Sequence, residues 1–345
     1  MSPLHTSPHT LFTNSVTRVM LLVVIAMVPA MIAYIHFFGW GILINATLCL
    51  VTAFSCETAM LRLRNRPLWP YLTDGSILVT ALLIAFALPP ILPWWIPVLA
   101  TAFATIIAKH LYGGLGYNPF NPAMAGYVVL LISFPKQMTA WLPAQSDQGY
   151  AMGFIDNLRY NLFNELPANT SYDILTQATP LDVVEAQTGL GHNIAEIENS
   201  FVQFSDYFGV GWDWVSLMFL LGGLFLIYKR VISWQIPIAM LGTLALLSSI
   251  AYLYNDQIHP DPLFHLLGGA SMIGAFFIAT DPVTASTTPR GQIVYGIGIG
   301  IISYVIRTWG NYPDGVAFGV LLMNIAVPTI DYYTQPRVFG HDKDD

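Results

Sequence analysis

Two long stretches without a single charged residue constrain this chain more than any other feature. Neither Asp, Glu, Lys nor Arg occurs in residues 19–56 or 75–108. Water-exposed segments do not run so far without charge, whereas a membrane span needs about 20 predominantly apolar residues. The first run accommodates two spans divided at Gly39-Trp40-Gly41, and the second breaks into two at Pro89-Pro90-Ile91-Leu92-Pro93. A fifth apolar segment covers 121–135, and five more follow at 214–228, 231–255, 263–280, 292–306 and 315–330. The expected fold is therefore all-α and integral to the membrane, with about ten transmembrane helices. Composition points the same way, since 10% of residues are charged against about 25% in soluble domains. The N-terminal apolar run is too long for a cleaved signal and has no small-residue cleavage site.

Basic residues orient the spans. With both termini inside and ten crossings, Arg18, Arg62, Arg64, Arg66, Lys109, Lys229, Arg230, Arg290, Arg337 and Lys343 fall on the cytoplasmic side. Lys136, Arg159 and Arg307 fall outside, so ten of the 13 basic residues lie inside, the bias that orients multi-pass proteins. Between the fifth and sixth segments lies a polar stretch, 136–213, with no segment able to span. Residues 136–212 hold nine acidic and two basic residues, a balance equal to the chain's whole net charge of −7. Loops of that length are usually functional or disordered. The expected organisation is a first membrane repeat at 1–135, a periplasmic segment at 136–213 and a second repeat at 214–345. Lipid is the expected surround, and the acidic balance without a basic patch argues against a nucleic-acid partner.

The two halves repeat each other. Gly75-Ser-Ile-Leu-Val-Thr-Ala-Leu-Leu-Ile-Ala85 matches Gly269-Ala-Ser-Met-Ile-Gly-Ala-Phe-Phe-Ile-Ala279 at an offset of 194. At an offset of 193, Asn118, Asn121, Gly126 and Pro135 meet Asn311, Asp314, Gly319 and Pro328. A unit of five helices is odd, so its second copy enters the membrane inverted, as in many transporters. The matched segments are short and interrupted by Gly or Pro, and broken helices bring backbone polar groups to cavities within the membrane. Asn118, Asn121, Thr280, Asp281, Asn311 and Asp314 are the candidates for an interior flavin or ion site. A carboxylate at Asp281 near mid-membrane costs roughly 2.5–3.5 kcal/mol on insertion scales, so a donor, a cation or a helix dipole should accompany it. Plain helix capping by the Asn-Pro and Asp-Pro pairs remains the alternative.

Other motifs carry less. Gly113-Gly-Leu-Gly-Tyr-Asn-Pro follows a helix rather than a strand and lacks a phosphate-loop lysine, so it reads as a re-entrant connection. Cys49 and Cys56 share a helix face and read as small buried hydrophobes. The eight histidines show no metal-ligand spacing. His110 and His265, at helix ends, read as interfacial residues, and Trp94, Trp95, Trp212 and Trp214 as aromatic-belt anchors.

One motif stands out in the polar segment: Asp173-Ile-Leu-Thr-Gln-Ala-Thr-Pro-Leu-Asp182. It resembles the flavinylation sequence of the family that joins the B subunit of the sodium-pumping quinone reductase (Nqr) to the D subunit of the Rnf (Rsx) complex. That family carries FMN through a phosphoester on the last Thr of a Ser/Thr-x-Ala-Thr core. Carried over, the flavin-bearing residue is Thr179, with Asp173, Thr176 and Ala178 as motif context. Thr176-Gln177 stand where the consensus has Ser-Gly. The resemblance runs along the chain, through Lys109-His-Leu-Tyr-Gly-Gly-Leu-Gly-Tyr-Asn-Pro-Phe-Asn-Pro-Ala123, Gly274-Ala-Phe-Phe-Ile-Ala-Thr-Asp-Pro-Val-Thr-Ala-Ser286 with Thr287-Thr288, and Pro313-Asp-Gly-Val-Ala-Phe318. The short N-terminus and Asp331-Tyr-Tyr-Thr-Gln-Pro-Arg337 resemble the Rnf rather than the Nqr member.

The resemblance implies a bacterial inner-membrane protein that relays electrons between ferredoxin and NAD-linked sites, coupled to Na+ or H+ movement. It implies a covalent FMN, room for a riboflavin within the bundle, other Rnf subunits as partners and a flavin transferase during maturation. The chain has no dinucleotide fingerprint and no iron–sulfur spacing, which leaves the other carriers to partner subunits. Two alternatives stand beside this reading, the Nqr B subunit itself and a flavin-free solute channel or transporter of inverted-repeat design.

Overall fold

The computed structural model describes residues 15–144, 152–167, 170–201, 204, 209–310, 312 and 314–335, with backbone alone at 173 and 174. Every regular element among them is helical, and the only extended pairing is an isolated antiparallel bridge between Trp141 and Gln177. Six helices are long and apolar enough to cross a membrane: Val16–Phe38, Gly41–Leu63, Trp69–Ala87, Gln235–Tyr254, Pro289–Trp309 and Val316–Thr334. The apolar helices Trp95–His110, Pro122–Ser133 and Trp212–Tyr228 are shorter.

Local chemistry sets the boundaries. Ser15 caps the first helix by accepting from the Arg18 amide, and Gly39, at φ +81°, ends it. Thr288 caps Pro289–Trp309 in the same manner. Two helices lose regularity, and the second does so inside the segment 263–280 that the sequence reads as one span. Trp95–Ala102 continues as a π-helical stretch, Phe103–His110, into a connection in which Gly113, Gly114 and Gly116 all hold positive φ. Side chains with a Cβ rarely adopt that conformation. The second interruption splits Pro262–Leu267 from Ser271–Ile273 at Gly268-Gly269, and the chain then enters a π-helical turn, Gly274–Ile278.

A single main core draws on both halves, with Met27, Tyr34, Phe38 and Ile84 packed in one cluster with Phe219, Phe276, Phe277 and Tyr295. Apolar surface gains little by leaving lipid, so close approach of small residues must hold such a bundle. Gly222 lies so near Ala26 that an added Cβ would collide with its carbonyl oxygen. Gly126 approaches Ala100 in the same way, so alanine at either position would force the helices apart. The polar segment adds two satellite cores. One joins Leu181, Val184, Ile194 and Ile197 to Phe264, and the other joins Leu142, Met152, Tyr160 and Leu175 to Ile91.

Three residues stand elsewhere than the sequence suggests. Trp212 is no belt anchor: it packs inward, 4.6 Å from the Phe38 ring and 4.9 Å from Trp141, while Trp214 does face outward. Gly211, at φ +84°, starts the helix and turns Trp212 in. His110 and His265 are both buried rather than interfacial. A carboxylate holds the first, with His110 Nε2 2.9 Å from Glu57, and the rings of Phe264 and Tyr304 enclose the second. Cys49 is buried, Cys56 partly so, and both are free.

Candidate functional site

Backbone pairing places the Thr179 motif. The Gln177 amide donates to the Trp141 carbonyl at 2.7 Å and the Trp141 amide returns the bond at 3.1 Å. This bridge fastens the polar segment beside the aromatic end of the bundle. Upstream, Thr176 Oγ1 donates to the Tyr172 carbonyl at 2.9 Å and closes the short helix Tyr172–Leu175. Asp173 lies on that helix. Ala178 is exposed, and the extended chain runs through it to Thr179, which caps the helix Pro180–Gly189. Proline at the first helical position suits its fixed φ. Asp182 completes a capping box by accepting from the Thr179 amide at 2.9 Å.

Thr179 sits half-buried on the rim of a cleft of about 1110 Å³, the open space at its mouth included. Tyr34, Phe86, Trp141, Trp212, Phe219 and Phe264 are among the residues that line it. The Tyr34 ring stands 6.4 Å from both Trp141 and Trp212 and 6.2 Å from Phe86. Tyr34 is 1% exposed, and its hydroxyl has no hydrogen-bond partner among the described residues. A buried hydroxyl left unpaired costs about 1–3 kcal/mol, so a group that fills the cleft and accepts that bond would be favoured.

The outer rim carries charge. Asp314 receives Arg307 Nη2 at 3.0 Å and Nε at 3.2 Å on Oδ1, and the Ala270 amide at 2.5 Å on Oδ2. Arg307 also donates to the His265 carbonyl at 2.7 Å. Gly269, at φ +59°, leaves the space into which Asp314, Leu181 and Arg307 converge. In the polar segment, burial raises the Asp182 carboxyl above its usual range, Thr179's hydrogen bonds oppose that, and the Asp314 charge adds to it. Burial first, and then Asp182, push Glu185 up to about 7.

The other sequence candidates gather around a second cleft, of about 1230 Å³ with its open space, and not around Thr179. Asn118, Asn121, Thr280 and Asp281 all line it, together with Lys109 and Ser76. Asn121 Oδ1 caps Pro122–Ser133 by accepting from the amides of Ala123 and Met124, while Nδ2 reaches the Ile278 carbonyl at 3.3 Å. The Asn121 amide donates to Asn324 Oδ1 at 3.1 Å, and Asn324 Nδ2 donates to the Tyr295 hydroxyl at 2.8 Å and the Thr284 carbonyl at 3.1 Å. The part-buried Asp281 carboxylate accepts from Thr284 Oγ1 at 2.8 Å. Thr280 donates to the Phe276 carbonyl and Asn118 to that of Phe120. Lys109 Nζ lies 3.0 Å from Glu57 and 3.3 Å from Ser76 Oγ. Asn311 lies outside the described residues.

The structure thus divides one set of candidates between two sites, with Asp314 at the Thr179 cleft and four others at the second. Sequence reasoning missed Tyr34, Glu57, Arg307, Tyr295 and Asn324. Asn324 carried a signal, a lone amide inside an apolar helix, since intramembrane polar groups are functional or paired by default. The burial of Arg307 and the free hydroxyl of Tyr34 left no trace in the pattern.

Comparison with known proteins gives the family of the chain. Residues 3–340 match the family described as NQR2, RnfD, RnfE. The D subunit of the ion-translocating oxidoreductase complex of Aeromonas hydrophila subsp. hydrophila is 52% identical over 328 residues, 93% of each chain. Its namesake from Aliivibrio salmonicida is 48% identical over 344 residues, 98% of each chain, and that from Yersinia pseudotuberculosis 50% over 343, 97% of each. With nearly its whole length matched, this chain belongs to the NQR2, RnfD, RnfE family.

Proposed function

We propose that this chain is the D-type membrane subunit of an ion-translocating oxidoreductase complex and that it carries FMN as a phosphoester on Thr179. The position of Thr179 carries the reading: the hydroxyl stands on the rim of an aromatic-lined cleft in which the buried hydroxyl of Tyr34 has no partner among the described residues. The name its relatives share, as D subunits of an ion-translocating oxidoreductase complex, supports the assembly.

The residues present fit such a group. When bound, FMN supplies one- and two-electron redox chemistry. Thr179 anchors its phosphate at the start of a ten-residue helix, where the dipole favours an anion. Trp141 and Trp212 offer flat faces for a planar ring, and Tyr34 a hydrogen bond for its polar edge. The apolar wall of Phe86, Phe219 and Phe264 excludes water. Flavin held covalently stays with the chain, as a relay among several subunits requires.

Ten spans in two inverted five-helix repeats, an inner-membrane location, cytoplasmic termini and a periplasmic 136–213 segment complete the proposal. The ten-to-three partition of basic residues and the Gly75/Gly269 sequence match support it. A flavin transferase acting on the periplasmic side would then meet Thr179. The second cleft, with Asn118, Asn121, Thr280 and Asp281, is our interior site for an ion or a non-covalent riboflavin.

Mass spectrometry of the full-length protein from its native membrane tests the assignment. The peptide containing Thr179 should carry the FMN mass, and Thr179→Ala should insert normally yet lose both that mass and in-gel flavin fluorescence. Flavin on another peptide, or on the variant, would overturn it. A reporter active only in the periplasm should work when fused near Gly191 and stay silent after Asp345; the reverse would overturn the orientation.

A further inference from the structure

We propose that Asp182 is the proton acceptor for the attachment of flavin to Thr179, so that the chain supplies part of the chemistry of its own maturation. The proposal rests on the reading of Thr179 as the flavin-bearing residue. Its observation is the bond from Thr179 Oγ1 to Asp182 Oδ2, at 2.7 Å.

A capping box does not need that bond. The motif requires the N3 carboxylate to accept from the N-cap amide and the N-cap hydroxyl to accept from the N3 amide. Here the first of these is well formed, Thr179 N to Asp182 Oδ2 at 2.9 Å, and the second is long, at 3.3 Å. The shortest contact of the set is the additional one, in which the hydroxyl donates its proton to the carboxylate. That arrangement polarises Oγ1 as a nucleophile and gives its proton a destination. It also exists only before modification, because an esterified Oγ1 has no proton to donate.

In the transfer, Thr179 Oγ1 attacks and forms a bond to the flavin-side phosphorus of a flavin adenine dinucleotide held by the transferase. The phosphoanhydride bond breaks, AMP departs with its electron pair, and the Thr179 proton passes to Asp182. Nothing is oxidised or reduced. The proton's arrival also resolves a conflict of charge. A phosphodiester anion arriving beside an ionised Asp182 would repel it, and the proton leaves Asp182 neutral and able to donate to a phosphate oxygen. The surroundings favour an Asp182 that accepts protons readily. Glu185 on the same helix and Asp314 across the rim are both acidic, Tyr127 faces the same side, and Arg307 is committed to Asp314.

The test uses the full chain, made without the transferase and purified in detergent, then given purified transferase, flavin adenine dinucleotide and Mg2+. Flavin on the Thr179 peptide is followed by mass spectrometry at several pH values. Asp182→Asn keeps an acceptor for the Thr179 amide, and so the helix cap, yet takes no proton. Its initial rate should fall by at least about tenfold, within reach of the roughly 100- to 10,000-fold usual for a general base. The ratio of wild-type to variant rate should climb with pH through the Asp182 titration, which cancels the transferase's own pH dependence. Asp182→Glu should recover part of the rate. Far-UV circular dichroism and thermal melting establish that each variant is folded. Equal rates for Asp182→Asn and wild type, or slow loading only in an Asp182→Ala chain that has lost its cap, would overturn the role and leave Asp182 a capping residue. Wild-type chain that takes no FMN on Thr179 would instead overturn the underlying assignment.

Discussion

Asn121 and Asp314 occupy matching positions in the two halves at the sequence offset of 193, each just before an apolar helix, yet their surroundings differ in kind. Asn121 sits in an amide and hydroxyl network with Ile278, Asn324 and Tyr295, and its hydrogen-bond partners among the described residues are all neutral. Asp314 is gripped by a buried guanidinium and two backbone amides on the rim that Thr179 shares. Residues matched by the sequence offset therefore serve differently: Asn121, the N-cap of its helix, is a neutral brace where the halves meet, and Asp314, one residue ahead of the N-cap Gly315, is a charged clamp where the proposed cofactor attaches. A sequence match does not fix the cap position; burial and neighbours decide which polar group stands there.

The largest expected effect comes from breaking the charged half. Arg307→Met leaves Asp314 without its cation while the carboxylate remains largely enclosed, its side chain 15% exposed. Removing one partner of a buried pair costs ~3–5 kcal/mol, so the melting temperature in detergent or the yield of folded protein should drop sharply. Arg307→Met with Asp314→Leu should recover much of the loss, because a well-packed apolar pair replaces a buried ion pair with little penalty. A single variant as stable as wild type would show that the clamp is not what holds the rim.

The neutral half breaks less severely. Asn121→Asp retains an acceptor for the Ala123 and Met124 amides but turns a carboxylate oxygen toward the Ile278 carbonyl, where an amide donor now stands. An unsatisfied buried group costs about 1–3 kcal/mol, and the loss should fall below that of Arg307→Met in the same melting assay. If Asn121→Asp melts like wild type, the contrast between the two helix starts is only one of composition. The interior site sharpens the comparison through function. Asp281→Asn should leave flavin on Thr179 unchanged while slowing ion-coupled electron transfer in reconstituted membranes, and unchanged transfer would return Asp281 to the role of a local cap.

How much of this was legible follows from what each signal depends on. The apolar runs, the break at Pro89-Pro90 and the capping by Asn121 depend on local chemistry, and sequence shows them directly, whereas the split of the 263–280 segment at Gly268-Gly269 is not legible there. Trp212 misleads because tryptophan at a helix start serves equally as a belt anchor or a core residue, and only the positive φ of Gly211 turns it inward. The separation of Asp314 from Asn121 and Asp281 depends on which helices meet across about two hundred residues, information that a periodic pattern does not contain. Tyr34 is the extreme case. Nothing about a tyrosine in an apolar helix tells that its hydroxyl will face a cleft unpaired.

The smallest effect tests whether the charged character of the rim extends into the polar segment. Glu185, half-buried beside Asp182, has its carboxyl pushed up to about 7, above the ordinary 4.5. A carboxyl whose folded value is raised favours the protonated folded state. Its contribution to stability is therefore fully present below about pH 4.5 and is lost as pH rises through 7. Asp182 is shifted in the same direction, so the two act together. Hydrogen exchange of the Pro180–Gly189 amides, corrected for intrinsic rates, should show that helix loosening between pH 4.5 and 7. Glu185→Gln should flatten part of that slope and leave the remainder to Asp182. The Pro122–Ser133 helix, capped by neutral Asn121, should show no comparable dependence in either protein. Equal slopes in the two helices, or an unchanged slope in Glu185→Gln, would mean that the charge gathered at the rim does not reach the helix that Thr179 begins.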